Sequence, residues 1–304
     1  MKPEPGVMQQ IEPGLRKVLA PNPSPMTHWG TNTFLLGEGE VAVIDPGPAL
    51  PAHLAAILAA LRPGERISHI IVTHAHLDHS PLARPLAEAT GAEVLAFGDA
   101  HAGLSPRMAG VQGLGGGEGL DLAFTPDRCL QDGEVVTGHR WALEVLHTPG
   151  HLGSHICLGW GARLFTGDHV MGWAPSLVSP PEGDMTDYMA SLAQLSRRPW
   201  QRFYPAHGAA IETPAARLQE LITHRRHREA LILQALTRPR DLEGLLAEVY
   251  HDTAPALLPA ARRNLLAHLL DLLHRNEITQ ENKPLTQALF HRPGPTPPQH
   301  TKKK

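Results

Sequence analysis

Cysteine is scarce: the 304 residues hold two, Cys129 and Cys157. Two thiols cannot build a disulfide framework, which agrees with a reducing compartment, and both are expected to be small core residues. Long apolar runs are also missing. No stretch approaches the roughly 20 residues of a membrane-spanning helix, and the segment Met1 to Ile11 is polar and broken by proline, without the apolar core of an export signal. A cytoplasmic protein with no membrane partner is therefore expected. A basic excess is lacking as well. Lys plus Arg number 27 against 30 Asp plus Glu, a formal net charge of -3, so the overall balance does not call for a polyanionic partner. Finally, Gly113, Gly115, Gly116, Gly117 and Gly119 lack the lysine-serine and strand-to-helix context of a phosphate-binding loop. They are expected to form a flexible lid or surface loop within the loop-rich segment 99–128.

Hydrophobic residues make up 42% of the chain, enough for a sizeable core in one large α/β domain plus a small appendage. The feature that stands out is Thr73-His74-Ala75-His76-Leu77-Asp78-His79-Ser80, four metal-ligand side chains within six positions. Ile67, Ile70, Ile71 and Val72 precede it and read as a buried strand, so the ligands sit where a strand ends. In extended backbone His74, His76 and Asp78 would share one side, and His79 would face a neighbouring point. Imidazole nitrogen and carboxylate oxygen suit Zn²⁺, and two subsets aimed at adjacent points suit two ions. Asp78 is placed to accept and return a proton there.

This pattern is similar to the signature of the metallo-β-lactamase superfamily. Its remaining elements follow in order: His151 in His147-Thr148-Pro149-Gly150-His151, Asp168 in Thr166-Gly167-Asp168-His169, and His207 in Tyr204-Pro205-Ala206-His207-Gly208. The resemblance implies that His74, His76 and His151 hold one zinc, that Asp78, His79 and His207 hold the other, and that Asp168 bridges them. Mn²⁺ or Fe²⁺ could occupy the same ligands. Two such ions about 3.5–4 Å apart activate a shared water as hydroxide for attack on a carbonyl or phosphoryl centre. Asp45, in Val43-Ile44-Asp45-Pro46-Gly47, matches the early aspartate that supports the ligand loop, though a plain turn aspartate fits equally. The implied fold is a four-layered αββα sandwich. His147 and His155 flank His151 and could support ligands or aim at substrate. His169 could contact substrate or be structural, Trp173 could line the substrate entrance, and Tyr188 reads as core.

Alternating patterns predict strands at Leu15–Ala20, Thr33–Leu36, Val41–Asp45, Glu93–Ala96, Trp141–His147, His155–Leu158, Arg163–Phe165 and Arg202–Tyr204. Helices are predicted at Pro51–Leu61, at Leu77–Thr90 with Asp78 and His79 in its first turn, and at Thr186–Leu195. Residues 1–212 are thus read as the catalytic domain. Residues 213–290 read as a long helix (Ala215–Leu236), two more (Leu242–Tyr250 and Pro259–His274) and a short ribbon, an order similar to a winged helix. Residues 291–304 read as a disordered tail.

Metal core and tail together resemble the β-lactamase-like protein 2 family, through Asp187-Tyr188-Met189, His224-Arg225 with Arg228-Glu229, and Asn264-Leu265-Leu266. Animal members of that family are endoribonucleases, so single-stranded RNA is the leading expected substrate. Its candidate phosphate contacts are His224, Arg225, Arg226, His227 and Arg228 on the long helix and Arg262 and Arg263 on the presumed recognition helix, although a solvated helix face is the other reading of that basic run. Thioester hydrolysis of the glyoxalase II type, or lactone hydrolysis, is the alternative.

Overall fold

In the computed structural model, which describes residues 3–293 apart from 112 and 118, two sheets pack face to face between helices. The first sheet contains β1 (Met8–Glu12), β2 (Leu15–Leu19), β3 (Asn32–Leu36), β4 (Glu40–Ile44), β5 (Arg66–Ile71), β6 (Glu93–Ala96) and β7 (Arg128–Cys129), side by side in chain order. Strands β1 to β4 are antiparallel neighbours. Helices α1 (Pro51–Ala59) and α2 (Ala83–Thr90) then carry the chain across, and β4 to β7 run parallel. The second sheet has β8 (Val135–Gly138), β9 (Trp141–His147), β10 (Ile156–Trp160), β11 (Arg163–Gly167) and β12 (Arg202–Pro205), in the order β12-β11-β10-β9-β8. Helix α3 (Met185–Leu195) connects the parallel pair β11 and β12.

Period-two alternation decides which layer each side chain enters. On β4, Val41 and Val43 join the core beneath α1 and α2, whereas Ala42 and Ile44 join the core between the sheets. On β10, Ile156 and Leu158 face the first sheet while Cys157 faces α3 among Leu164, Tyr188 and Leu192. The result is the expected αββα order of layers.

The C-terminal region begins with α4 (Pro214–Ala235) and continues through α5 (Leu242–Val249), α6 (Leu258–His274) and the ribbon of β13 (Thr279–Gln280) and β14 (Phe290–His291). These elements share an apolar core that includes Ile232, Leu245, Leu265, Leu269 and Phe290. It is not a detached module. Arg263 donates to the carbonyls of Leu114, Gly115 and Pro180, and Thr186 on α3 donates to Asp271 on α6 at 2.6 Å.

Two expectations change, at α2 and at Cys129. Asp78 and His79 lie in a turn, and α2 starts only at Ala83; Pro81 disfavours helical backbone at Ser80, so the helix cannot extend back through it. Cys129 is exposed on the edge strand β7 rather than packed in a core, while Cys157 is buried as expected. The polar start of the chain supplies β1, because an edge strand needs only one apolar face. The expected disordered tail falls outside the described residues from 294 onward, and His291 still pairs with Thr279. Among the described residues no helix is long and apolar enough to cross a membrane.

Candidate metal centre

Every nominated ligand follows the C-terminal end of a strand, and all of them converge at one edge of the sandwich. His74, His76, Asp78 and His79 follow β5, His151 follows β9, Asp168 follows β11 and His207 follows β12. They form two groups joined by a shared residue: His74, His76, His151 and Asp168, then Asp78, His79, His207 and Asp168, with candidate ligand atoms in each group within 4.8 Å of one another. The expected common side for His74, His76 and Asp78 holds only for the two histidines. The turn at Leu77 sends Asp78 to the second group.

In the first group, His76 Nδ1 lies 2.9 Å from His74 Nε2 and 3.2 Å from His151 Nε2, and Asp168 Oδ2 lies 3.7 Å from His151 Nε2. In the second, Asp78 Oδ2 is 3.1 Å from His207 Nε2 and 3.4 Å from His79 Nε2. Asp168 Oδ1 completes it, 3.2 Å from His207 Nε2 and 3.6 Å from His79 Nε2. The two oxygens of Asp168 thus face the two groups separately.

Outer partners fix which ring nitrogen faces inward. His74 Nδ1 donates to Thr73 Oγ1 at 3.0 Å, and that hydroxyl donates to Asp45 at 2.8 Å. His79 Nδ1 donates to Asp45 at 3.0 Å, His151 Nδ1 to the Leu177 carbonyl at 2.6 Å, and His207 Nδ1 to the Gly30 carbonyl at 3.1 Å. Each of these four rings therefore turns its Nε2, the atom a metal ion would take in place of a proton, to the interior. His79 Nε2, His207 Nε2 and Asp168 Oδ1 are buried with no hydrogen-bond partner. Buried polar atoms are rarely left so, and converging lone pairs of nitrogen and oxygen are what a divalent cation satisfies. The residues present therefore fit two metal ions.

The carboxylates of the second group attract positive charge, drawing protons onto its imidazoles where no cation is held. Burial alone would lower His207, but Asp168 and Asp78 outweigh it and raise its pKa to about 10; His79 is likewise raised well above the ordinary value by Asp78, Asp168 and Asp45. Asp78 and Asp168 stay ionised despite burial, held low by His79 and His207. In the first group, burial and then neighbouring imidazoles push His76 down to about 3 and His74 well below its usual value. The second site is thus rich in negative charge and the first in neutral nitrogen.

Supporting residues resolve the open alternatives. Asp45 is a supporting group, since its carboxylate also accepts the Thr73 backbone N–H at 2.8 Å. His155 holds the bridge: its Nε2 accepts the Asp168 N–H at 3.2 Å, while Nδ1 meets Thr148 at 3.0 Å. Gly167 makes that approach feasible, as a Cβ there would lie 2.5 Å from His155 Nε2. His147 is structural, stacked on Phe97 and bonded to the Gly153 carbonyl at 2.8 Å. His169 and Tyr188 are buried together, and Tyr188 donates to the His169 carbonyl at 3.2 Å. Ser176 and Asn264 were not singled out from sequence. Ser176 donates to the Asp168 and His169 carbonyls, and Asn264 accepts the Val178 N–H at 3.1 Å, beside the Leu177 carbonyl that orients His151. Asn264 stood in a matched motif, so that motif was its only signal.

A cleft of about 570 Å³ opens over the first group, bounded by Met26, His76, His151, Leu177, the glycines Gly115 to Gly117 and, from α6, Pro259, Ala260, Arg262 and Arg263. The glycine-rich loop is thus part of the cleft wall.

Residues 26–207 match the model of the metallo-β-lactamase superfamily. The chain belongs to that superfamily. Residues 242–284 match the β-lactamase-associated winged-helix domain. The chain is similar to the β-lactamase-like protein 2 homolog of Drosophila melanogaster, 33% identical over 273 residues, covering 84% of this chain and 86% of that one. It is also similar to an atrochrysone carboxyl ACP thioesterase of Cryptosporiopsis sp., 29% identical over 247 residues, covering 79% and 68% of the two chains. A β-lactamase domain protein from Burkholderia ambifaria shares its fold, with a TM-score of 0.80 at 23% identity over 96% of this chain and 95% of that one. As a metallo-β-lactamase superfamily hydrolase, the chain carries its metal-binding residues as a dinuclear-capable cluster.

Proposed function

We propose that this hydrolase cleaves thioesters or related small acyl esters with two zinc ions, one in each ligand group. The observation that carries this reading is the fate of α6. A winged helix that reads nucleic acid leaves its third helix free for the groove, whereas here that helix walls the metal cleft with Pro259, Ala260, Arg262 and Arg263. The remaining wall is largely apolar, through Met26, Leu114, Leu120 and Leu177. Similarity to a thioesterase supports the same class. Within the basic run on α4, Arg225 is buried and Arg228 is bonded to the Val249 carbonyl, which leaves Arg226 and His227 as its exposed members.

Two divalent ions held there would supply Lewis-acid activation of water and of the substrate carbonyl. The chain's own part is orientation and proton handling. Asp168 keeps one oxygen on each group, fixed from behind by His155 and Ser176. Asp78 is the more accessible carboxylate, its side chain 27% exposed against 11% for Asp168, and is therefore the one to take the proton from the attacking water and pass it to the leaving thiol or alcohol. Nitrogen and oxygen donors suit zinc, and Mn²⁺ or Fe²⁺ remain the competing occupants. Few cysteines support a cytoplasmic setting.

Single-stranded RNA is the second reading, favoured by Arg262 at the cleft edge, where it pairs with Glu243 at 2.9 Å. The test is a side-by-side assay of zinc-, manganese- and iron-loaded protein on aryl thioesters, lactones and a fluorescent single-stranded RNA, with Asp78→Ala prepared identically. Thioester turnover that the variant loses supports the proposal. RNA cleavage lost in the variant, with thioesters untouched, reverses it.

A further inference from the structure

Beside the metal cleft lies a second cavity, of about 280 Å³, and the two share Met26, Leu177 and Ala260 as walls. Arg225, Arg228 and His224 of α4 line it together with Trp173, Tyr250 and Leu257. Arg225 is 2% exposed. Its guanidinium donates to Asn264 Oδ1 at 3.0 Å and to the Ser176 carbonyl, and lies 5.1 Å from the centre of the Tyr188 ring, while its Nε is buried without a partner. None of these partners is a carboxylate. Three residues on, Arg228 occupies the same helix face. It donates to the Val249 carbonyl, covers the Tyr250 ring at 4.7 Å, and also keeps a buried Nε without a partner. Its acidic neighbour, Asp252, is 3.4 Å away and 60% exposed, too well solvated to neutralise the cavity.

A buried guanidinium without a counter-charge is costly to hold, and contact with an aromatic face offsets only part of that cost. The positive field is felt next door: burial first, then Arg225 and Arg228, press the His224 imidazole down to about 4. A strand of nucleic acid needs successive cations along an open groove. Two inward-facing arginines in a small enclosure fit one terminal group instead.

We propose that this cavity binds a single compact anionic group, a phosphate or a carboxylate carried on an apolar body, with Arg225 and Arg228 as its counter-charges and Trp173 and Tyr250 against the apolar part. The position links it to the reaction centre. The Ser176 carbonyl accepts from Arg225 while the Ser176 hydroxyl donates to the Asp168 carbonyl, so a ligand at Arg225 is one residue removed from the metal-bridging loop.

The test is calorimetric titration of the metal-loaded, full-length protein with phenylphosphonate and with phenylacetate, and with benzyl alcohol as the neutral control. At least one anion should bind and benzyl alcohol should not, and the stronger of the two anions identifies the group as phosphate-like or carboxylate-like. In Arg228→Gln the affinity should fall tenfold or more in protein that circular dichroism shows to be folded like the parent. Affinity that is unchanged in Arg228→Gln places the anion on the metal ions and overturns the proposal, as does failure of both anions to bind. A second readout needs no variant: the bound anion should slow modification of Arg228 by a dicarbonyl reagent, followed by peptide mass spectrometry, and unaltered modification at saturating anion contradicts the assignment. Neither readout depends on which bond the enzyme cleaves.

Discussion

Replacing Asp45 with Asn should cost metal affinity while leaving the fold in place. The Asp45 carboxylate accepts three hydrogen bonds: Oδ1 from the Thr73 N–H at 2.8 Å, and Oδ2 from Thr73 Oγ1 at 2.8 Å and His79 Nδ1 at 3.0 Å. An amide retains one acceptor oxygen. If that oxygen takes the Oδ2 position, the amide NH₂ faces the Thr73 N–H and leaves buried donors opposed, at about 1–3 kcal/mol each. If it takes the Oδ1 position, the NH₂ faces Thr73 Oγ1 and His79. The hydroxyl can rotate to accept, but the imidazole N–H cannot. His79 then has to move its proton to Nε2, which removes the lone pair aimed at the site shared with Asp168. Loss of such a supporting contact typically weakens metal binding 10- to 100-fold, or about 1.4–2.7 kcal/mol. The assay is competition with a chromophoric chelator, resolving the two ions by their order of release. One ion should come away 10- to 100-fold more readily and the other with little change. Wild-type affinity for both ions would mean that Asp45 only shapes a turn.

Asn264→Leu removes the acceptor for both the Val178 N–H and Arg225. It should lower the unfolding free energy by about 1–3 kcal/mol and weaken the ion at His151, whose orienting Leu177 carbonyl sits in the same loop; denaturant melts and chelator competition check both, and an unaltered His151 site contradicts the coupling. Acid should destabilise the protein through its buried neutral histidines. Burial holds His53 down to about 4 and His169 to about 3, with His155 and His268 also well below the ordinary value. For a depressed histidine the full stability is present above the unfolded pKa of about 6.5, and it is lost as pH falls toward the folded value because only the unfolded chain takes up protons. The unfolding free energy should therefore fall between about pH 6.5 and 4, by at most about 1.4 kcal/mol per pH unit for each such histidine; an unfolding free energy unchanged across that interval refutes it. Stripping the metals should lower the melting temperature, since ligand binding free energy adds to folding free energy, and a melt indifferent to chelator would contradict a loaded site.

Much of this centre was legible because its ligands are clustered in sequence or sit just past apolar strands. His74, His76 and His79 follow Ile70, Ile71 and Val72, and a continuous apolar run of this kind reads as a buried strand with its end at the sheet edge. The C-terminal helices were equally readable from their leucine spacing. Sequence misjudged features that depend on a neighbour from elsewhere in the chain. Arg225 reads as one member of a solvated basic run, yet the face it occupies is covered by the loop carrying Ser176 and by Asn264 from α6. Likewise His155 and His147 are equivalent in local context, and only the distant Asp168 N–H on one side and Phe97 on the other separate a supporting residue from a packing one. Cys129 looks apolar enough for a core, but its strand ends a sheet and nothing covers it. The start of α2 was misplaced because the apolar pattern runs through Pro81, whose missing N–H and restricted predecessor outweigh periodicity.

The central claim is that two ions sit side by side, sharing Asp168. It is tested most directly by anomalous diffraction from crystals of metal-loaded protein at the metal's absorption edge. Two peaks about 3.5–4 Å apart, one among His74, His76 and His151 and the other among Asp78, His79 and His207, with an Asp168 oxygen on each, are predicted. A single peak, or density away from Asp168, would contradict the account.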